Sequence, residues 1–329
     1  MIALMLLNLI AQTDLEGSMS NLLLNLTRRP ETESFLKMKV PHPLFIQGLE
    51  SVAMAHKTHG FRPMGLMLLG DSGLGKTLLL EHYVSLAKAP ESETHDYKPV
   101  LYINTPTQRT GSTKPLISEL LDAIGDPAPG KGTEAELTRR FIRLAKELKV
   151  ELIILDEIHN LLKENSTCNT RPIVNTIKNL MSNLSMPFVL SGLPSAARLG
   201  DGHEEFQRRF AATFHLYPFG IRDKREVEYF TKYMESIKGW LNKNDISCLP
   251  LNKPHTLKRF LLASKGKPAL ISALIEYSLE TVSVEGSIDL ELLAEAYERR
   301  IFTSEFASGL NPFLISANSL DKEIKLAGL

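Results

Sequence analysis

With 329 residues, 43% of them hydrophobic and 23% charged, the chain has the composition of a globular protein with room for one large α/β domain and a smaller companion. Lysine plus arginine and aspartate plus glutamate both number 38, so no global field draws the molecule to nucleic acid, and any contact with DNA must come from a local patch. The two cysteines, Cys168 and Cys248, have neither zinc-site spacing nor a disulfide pattern, which fits idle thiols in a reducing cytosol.

The chain opens on an apolar run, Met1–Ile10, with no Lys or Arg before Arg28. It therefore lacks the basic flank of a signal peptide, and it is too short to span a bilayer, so no membrane association is expected. Two readings stay open for it: a helix that packs on a partner, or upstream sequence ahead of a true start at Met19. Residues 1–40 read as an N-terminal extension, and Pro41-His42-Pro43 marks entry to the core. A helix over Leu44–His56 then leads through Gly60 and Pro63 to Met64–Leu69, an apolar run of buried-strand length.

The octapeptide Gly70-Asp71-Ser72-Gly73-Leu74-Gly75-Lys76-Thr77 is a complete G-x-x-x-x-G-K-[ST] match. It lies between that strand and the helix-compatible run Leu78–Val84, the context a phosphate-binding loop needs. Glycines let backbone N–H groups turn inward around phosphate oxygens, and the following helix adds its positive dipole end. Lys76 is expected to reach the β- and γ-phosphates of ATP, and the Thr77 hydroxyl to ligate Mg²⁺.

A second strand over Pro99–Asn104 runs into the polar stretch Thr105–Pro115. Leu116–Ile124 is helical, and Asp126-Pro127-Ala128-Pro129-Gly130 breaks the chain. Thr133–Leu148 keeps helical spacing through Leu137, Phe141, Leu144, Ala145 and Leu148, with Thr133 and Glu136 at capping-box spacing. Leu152-Ile153-Ile154-Leu155-Asp156-Glu157 follows, apolar on both faces like a buried parallel strand and closed by two acids. Ligand sites of open α/β sheets form at such carboxyl ends. Asp156 is placed to hold Mg²⁺ with Thr77, and Glu157 to polarise the attacking water. An acid directly after the Mg²⁺-binding aspartate argues for hydrolysis rather than transfer to a metabolite.

Beyond the loop Lys163–Thr170, a helix carries Ile173, Val174, Ile177, Leu180, Met181 and Leu184 on one side. Pro187–Gly192 is a further strand, Phe206–Phe210 a short helix and Thr213–Phe219 the last strand. This alternation predicts a doubly wound parallel sheet of five strands, an α/β P-loop fold. From about Ile221 no strand pattern recurs, and four helices (Asp223–Lys238, Pro254–Ser264, Pro268–Ser283, Asp289–Arg300) predict a small helical lid. The expected division is thus 1–40, 41–220 for the nucleotide-binding domain, 221–302 for the lid, and 303–329 for a tail. Asn311-Pro312-Phe313 in that tail is read as exposed and as a docking site for a partner.

A core of this shape with a helical lid resembles the AAA+ ATPases. The order Leu155-Asp156-Glu157-Ile158-His159-Asn160, then a strand ending Ser191-Gly192-Leu193-Pro194, then Phe206-Gln207-Arg208-Arg209-Phe210 resembles the TniB/TnsC group of bacterial transposition regulators over roughly 40–300. The resemblance implies a cytoplasmic bacterial ATPase that oligomerises as a ring or helical filament on double-stranded DNA, links a target selector to transposase subunits, and disassembles on hydrolysis. Ser191 falls at the position of a polar sensor, although a serine opening a turn before Gly192 accounts for it equally. Either Arg208 or Arg209 matches an arginine finger directed at a neighbouring subunit's γ-phosphate. One departure is Ala269, in Lys265-Gly266-Lys267-Pro268-Ala269, where many AAA+ proteins carry an arginine; Lys267 is the available substitute. His159 is open to loop positioning or a DNA-side contact.

Candidate DNA contacts are Arg109, Lys114, Lys131, Arg139 and Arg140, with Thr105, Thr107, Thr110 and Thr113 as neutral phosphate ligands. The stretch Thr105–Lys149 holds eight basic and six acidic residues, an excess of two, so a solvated helix face explains much of this charge. Two alternatives to the transposition ATPase remain: a nucleotide-gated DNA scaffold with negligible hydrolysis, and a P-loop switch of the helicase-loader or initiator kind. Glu157 weighs against the first. Against the second, the residues after Phe302 are too few for a winged helix.

Overall fold

The computed structural model describes residues 28–87, 97–107, 112–162, 170–283, 286–301 and 310–329. The expectations about Met1–Ile10, Met19, Arg109, Thr110 and most of the loop before Thr170 fall outside these residues.

Five short strands form one parallel sheet, of which the edge strand over 212–215 is largely exposed. Its strands are β1 (Leu66–Leu69), β2 (Val100–Asn104), β3 (Leu152–Asp156), β4 (Phe188–Gly192) and β5 (Ala212–His215), in the order β2-β3-β4-β1-β5. Every residue of β1, β3 and β4 is buried, as a sheet covered by helices on both faces requires. One face packs against α4 (Lys114–Ile124), α5 (Glu134–Glu147) and α6 (Arg171–Leu184) through Leu120, Phe141, Ile177 and Phe188. The other packs against α2 (Pro43–His56) and α3 (Lys76–Leu86) through Val52, Leu68, Leu79 and Ile154. The capping box at Thr133 forms as expected, with the Glu136 amide donating to the Thr133 hydroxyl and the Thr133 amide to the Glu136 carboxylate.

The last strand is shorter than expected. Its ladder stops at His215, and the amide of Leu216 makes one more bond to the Leu69 carbonyl before Pro218, which has no N–H to offer. After Ile221 a two-residue parallel ladder joins Ser247–Cys248 to Ser287–Ile288, too short to leave a pattern in the sequence.

The compact units do not follow the expected segments. Pro41–Tyr233 with Lys265–Ala269 forms the sheet unit, and the helical unit comprises Met234–Ser264, Leu270–Leu329 and the residues before Pro41. The dividing point thus lies inside the helix Lys224–Lys243 rather than at 220. Within the helical unit, the helix α1 (Pro30–Lys37) sets Phe35 edge-on against Trp240, centroids 5.3 Å apart. Arg29 ties the same segment down by donating to the carbonyls of Leu279 and Val282.

The reading of Phe313 as exposed is corrected. Phe313 is 2% exposed and meets Phe260 edge-on, while Leu320 and Ile324 of the helix Ala317–Leu326 are buried. The Arg259 guanidinium, itself buried, donates to the carbonyls of Pro312 and Ile315. The segment presents carbonyls to a buried cation, so the Phe313 ring is core and not a docking residue.

Candidate nucleotide-binding site

The octapeptide 70–77 leaves β1 and enters α3 as a glycine-shaped cradle. Gly73 and Gly75 sit at φ +82° and +87°, a region that side chains resist, and a Cβ at Gly75 would meet no atom within 4 Å. Lys76, 5% exposed, folds back so that Nζ donates to the carbonyls of Gly70 (2.8 Å) and Asp71 (2.9 Å). Burial pulls its pKa below the usual lysine value, against the opposing pull of Glu157, Asp156 and Asp71; Lys267 pushes in the same direction as burial.

Asp156, at the end of β3, is fully buried and held by three donors. The hydroxyl of Thr77 reaches Oδ2 at 2.7 Å, that of Tyr102 reaches the same oxygen at 3.1 Å, and the Glu157 amide reaches Oδ1 at 2.9 Å. The strand order explains the geometry: β4 lies between β1 and β3, so its polar end is enclosed by the phosphate loop on one side and the acids on the other. Ser191 pairs with Leu68 in register, is fully buried, and its hydroxyl has no hydrogen-bond partner. An orphaned buried hydroxyl beside an open, glycine-lined cradle and a Thr–Asp pair is the donor set that Mg²⁺ and a triphosphate would complete. The residues fit the group.

Glu157 occupies a left-handed backbone position, φ +52°. Such a conformation persists in a non-glycine residue only when the surroundings enforce it. Here the Thr105 hydroxyl lies within hydrogen-bond distance of the carbonyls of both Asp156 (2.9 Å) and Glu157 (2.6 Å). The Glu157 side chain meets His159, with Oε2 3.1 Å from Nε2. Tyr102 was not among the sequence candidates, and Thr105 was named only as a possible DNA-phosphate ligand. Tyr102 sits mid-strand and reads there as packing, but alternation places its hydroxyl beside Asp156; burial, then Asp156, raises its pKa.

The turn Lys265–Ala269 belongs to this unit although its chain neighbours do not. The Ala269 amide donates to the Gly73 carbonyl at 3.1 Å, and Gly266 approaches Phe219 so closely that a Cβ would sit 2.0 Å from its carbonyl oxygen. Lys267 is half-buried and the Lys76 ammonium feels its charge, so this turn offers a lysine where Ala269 offers none.

Among the remaining candidates, Arg209 pairs with Glu205 at 3.1 Å and its carbonyl accepts from Gly65, whereas Arg208 is exposed. Lys131 and Arg139 are exposed and Lys114 half-buried. Arg140 is corrected: its guanidinium pairs with the buried Asp126 and donates to the carbonyls of Ala128 and Lys131, bracing the turn rather than facing solvent. Thr105 and Thr113 are likewise buried, and Thr113 donates to Glu134, which removes both as phosphate ligands for DNA.

A five-stranded parallel sheet with a phosphate loop after β1 and paired acids after β3 defines a P-loop protein of the AAA+ type. More particularly, the chain belongs to the family described as Bacterial TniB protein, whose profile matches residues 44–219, just over half of its length. The fold is similar to the Aeropyrum pernix ORC1 protein solved in complex with DNA, at 17% identity over 80% of this chain and 68% of that one, TM-score 0.57. It is also similar to Cdc6p of Pyrobaculum aerophilum, at 17% identity over 82% and 70% of the two chains, TM-score 0.59. An ORC1-type DNA replication protein of Desulfurococcus amylolyticus is 29% identical over 101 residues, which is 30% of this chain and a quarter (25%) of that protein. Among the described residues no helix is long and apolar enough to cross a membrane.

Proposed function

We propose that this TniB-family protein is a Mg²⁺-dependent ATPase that oligomerises on double-stranded DNA, without reading sequence, and links a target selector to transposase subunits. The observation that carries the nucleotide half is the Thr77–Asp156 hydrogen bond beside the buried Lys76. Thr77 and Asp156 would hold a Mg²⁺ ion, which would supply charge neutralisation for the triphosphate. Backbone amides of Gly73, Leu74 and Gly75 cradle the phosphates, and Lys76 adds its charge. Glu157 orients a water so that its oxygen attacks the γ-phosphorus while the bond to the ADP oxygen breaks; the carboxylate takes the water's proton. Ser191, with its unused hydroxyl, donates to that water or to the γ-phosphate.

Arg208 is the better placed of the two arginines to act on a neighbouring subunit, because Arg209 is engaged within its own chain. Lys131, Arg139 and Lys114 remain the candidate phosphate contacts to DNA, and Arg109 stands as a candidate from the sequence. Binding of that kind is non-specific and weakens steeply with salt. Hydrolysis then ends the DNA-bound state.

A second reading, an initiator-like switch, is favoured by the local identity with the ORC1-type replication protein. Electron microscopy with duplex DNA and a slowly hydrolysed ATP analogue separates the two. Ordered rings or filaments that vanish with Lys76→Ala support the matchmaker; monomers on DNA with nucleotide bound overturn it. Absence of heat and saturation in calorimetry with Mg·ATP, with and without DNA, overturns both.

A further inference from the structure

We propose that His159 is a positioning residue that aims the Glu157 carboxylate and ties it to the turn leaving β4; the proposal rests on the hydrolytic reading above. The Glu157 backbone is already held by Thr105 and Asp156, which leaves the direction of its side chain to be decided. His159 decides it, with Nε2 3.1 Å from Oε2.

The other ring nitrogen settles the tautomer. His159 Nδ1 faces the backbone N–H of Leu193 at 3.4 Å. An amide nitrogen only donates, so Nδ1 carries the lone pair and the ring proton sits on Nε2, which donates to Glu157. The ring thus spans from the carboxylate after β3 to the residue after β4.

Three features keep the ring in place. It belongs to the 3₁₀ turn Ile158–Leu161, whose Asn160 amide donates to the Glu157 carbonyl at 2.8 Å. The Asn160 side chain donates to the Thr105 carbonyl at 3.2 Å, fastening the turn to the strand end that already braces the acids. Gly192 completes the seat, because a Cβ there would lie 3.2 Å from Nδ1 and 3.1 Å from the Ile158 Cγ2. Glycine at this position is explained by the ring beside it, since its backbone is not in the left-handed region. The segment that the ring touches also carries Ser191, so carboxylate and hydroxyl are set by one small assembly.

The test compares His159→Ala, His159→Gln and the full-length wild type in steady-state ATPase assays and in calorimetry with Mg·ATP. A misdirected carboxylate costs turnover, so kcat is expected to fall about 10- to 100-fold in His159→Ala while nucleotide affinity changes less than about twofold. His159→Gln, whose amide can donate to Glu157 and accept from Leu193, is expected to recover most of the loss. Adding His159→Ala to Glu157→Gln should cost nothing further, because the two act as one unit. A readout without nucleotide is ¹⁵N NMR of the histidine rings: His159 should show the Nε2–H tautomer, and Glu157→Gln should shift its Nε2 resonance. Wild-type kcat in His159→Ala, additive losses in the double variant, or an Nδ1–H tautomer would overturn the role of His159 while leaving the ATPase reading intact. A wild type that binds Mg·ATP but never turns it over overturns the hydrolytic reading itself.

Discussion

Thr77 and Asp156 stand 79 positions apart in sequence, and the threonine hydroxyl donates to the aspartate Oδ2 at 2.7 Å. One residue lies in the first turn of the helix after β1 and the other ends β3, with β4 between those strands. The contact marks the point where the phosphate loop and the acidic strand converge. It also predicts which changes affect metal-dependent binding.

Asp156→Asn keeps the volume but removes the charge. Mg·ATP affinity should fall at least about tenfold, while affinity for ATP in EDTA should hold or rise as the negative charge is lost. Calorimetry with and without the metal makes the comparison. Equal losses in both conditions would mean that Asp156 serves the fold and not the ion.

Glu157→Gln should keep Mg·ATP affinity and lower turnover by about 10²- to 10⁴-fold, the usual contribution of a positioned general base. DNA-bound oligomers should last correspondingly longer in dissociation assays. Unchanged turnover removes Glu157 from the chemistry.

Charge on the surface near α5 should divide into two kinds. Lys131→Ala and Arg139→Ala, both exposed, should weaken DNA binding and lower the slope of log K against log salt by about one each. Arg140→Ala should instead lower stability by about 1–3 kcal/mol, since it strands the buried Asp126 carboxylate and the carbonyls of Ala128 and Lys131. Urea unfolding and salt-dependent DNA titration distinguish them.

Phe313→Ala should cost about 3–5 kcal/mol, the range for emptying a packed aromatic site. Removing residues 310–329 should likewise destabilise the protein, contrary to the behaviour of a dispensable docking tail. Thermal unfolding of both variants is the measurement.

His42 gives a pH dependence. It is 7% exposed, surrounded by Phe45, Phe219 and Tyr233, and burial lowers its pKa from 6.5 to about 4. Between those values the unfolded chain binds the proton and the folded one does not, so stability falls as pH drops from 6.5 towards 4. Integrated over that window the loss is about 3 kcal/mol. Urea midpoints at pH 4.5 and 7 should differ less in His42→Phe than in the wild type.

The phosphate loop was legible because its requirements are local: Gly73 and Gly75 must take positive φ, and an apolar strand and a helix must flank them. Asp156 and Glu157 were legible as candidates only because the run that ends in them accompanies a phosphate loop; alone, such a strand end reads equally as two solvated acids. Arg140 was misread because an exposed and an inward-facing arginine on a helix look alike in sequence; only the fold of residues 126–131 brings three acceptors to it. Phe313 was misread for the related reason that a proline turn without periodicity gives no sign of the buried Arg259 that receives its carbonyls.

Its sequence alone reads as a P-loop α/β chain with a threonine and an aspartate placed for a metal ion and a glutamate placed for hydrolysis. Those roles follow from residue types at short spacing, and short spacing is what a sequence displays. The order β2-β3-β4-β1-β5 belongs to the tertiary structure, and so do the Ser191 hydroxyl left without a partner, the Tyr102 and Thr105 contacts to the acids, and the bridge of His159 from Glu157 to Leu193. Each depends on which strands become neighbours, a choice made by the burial of all the strands at once and carried by no single segment.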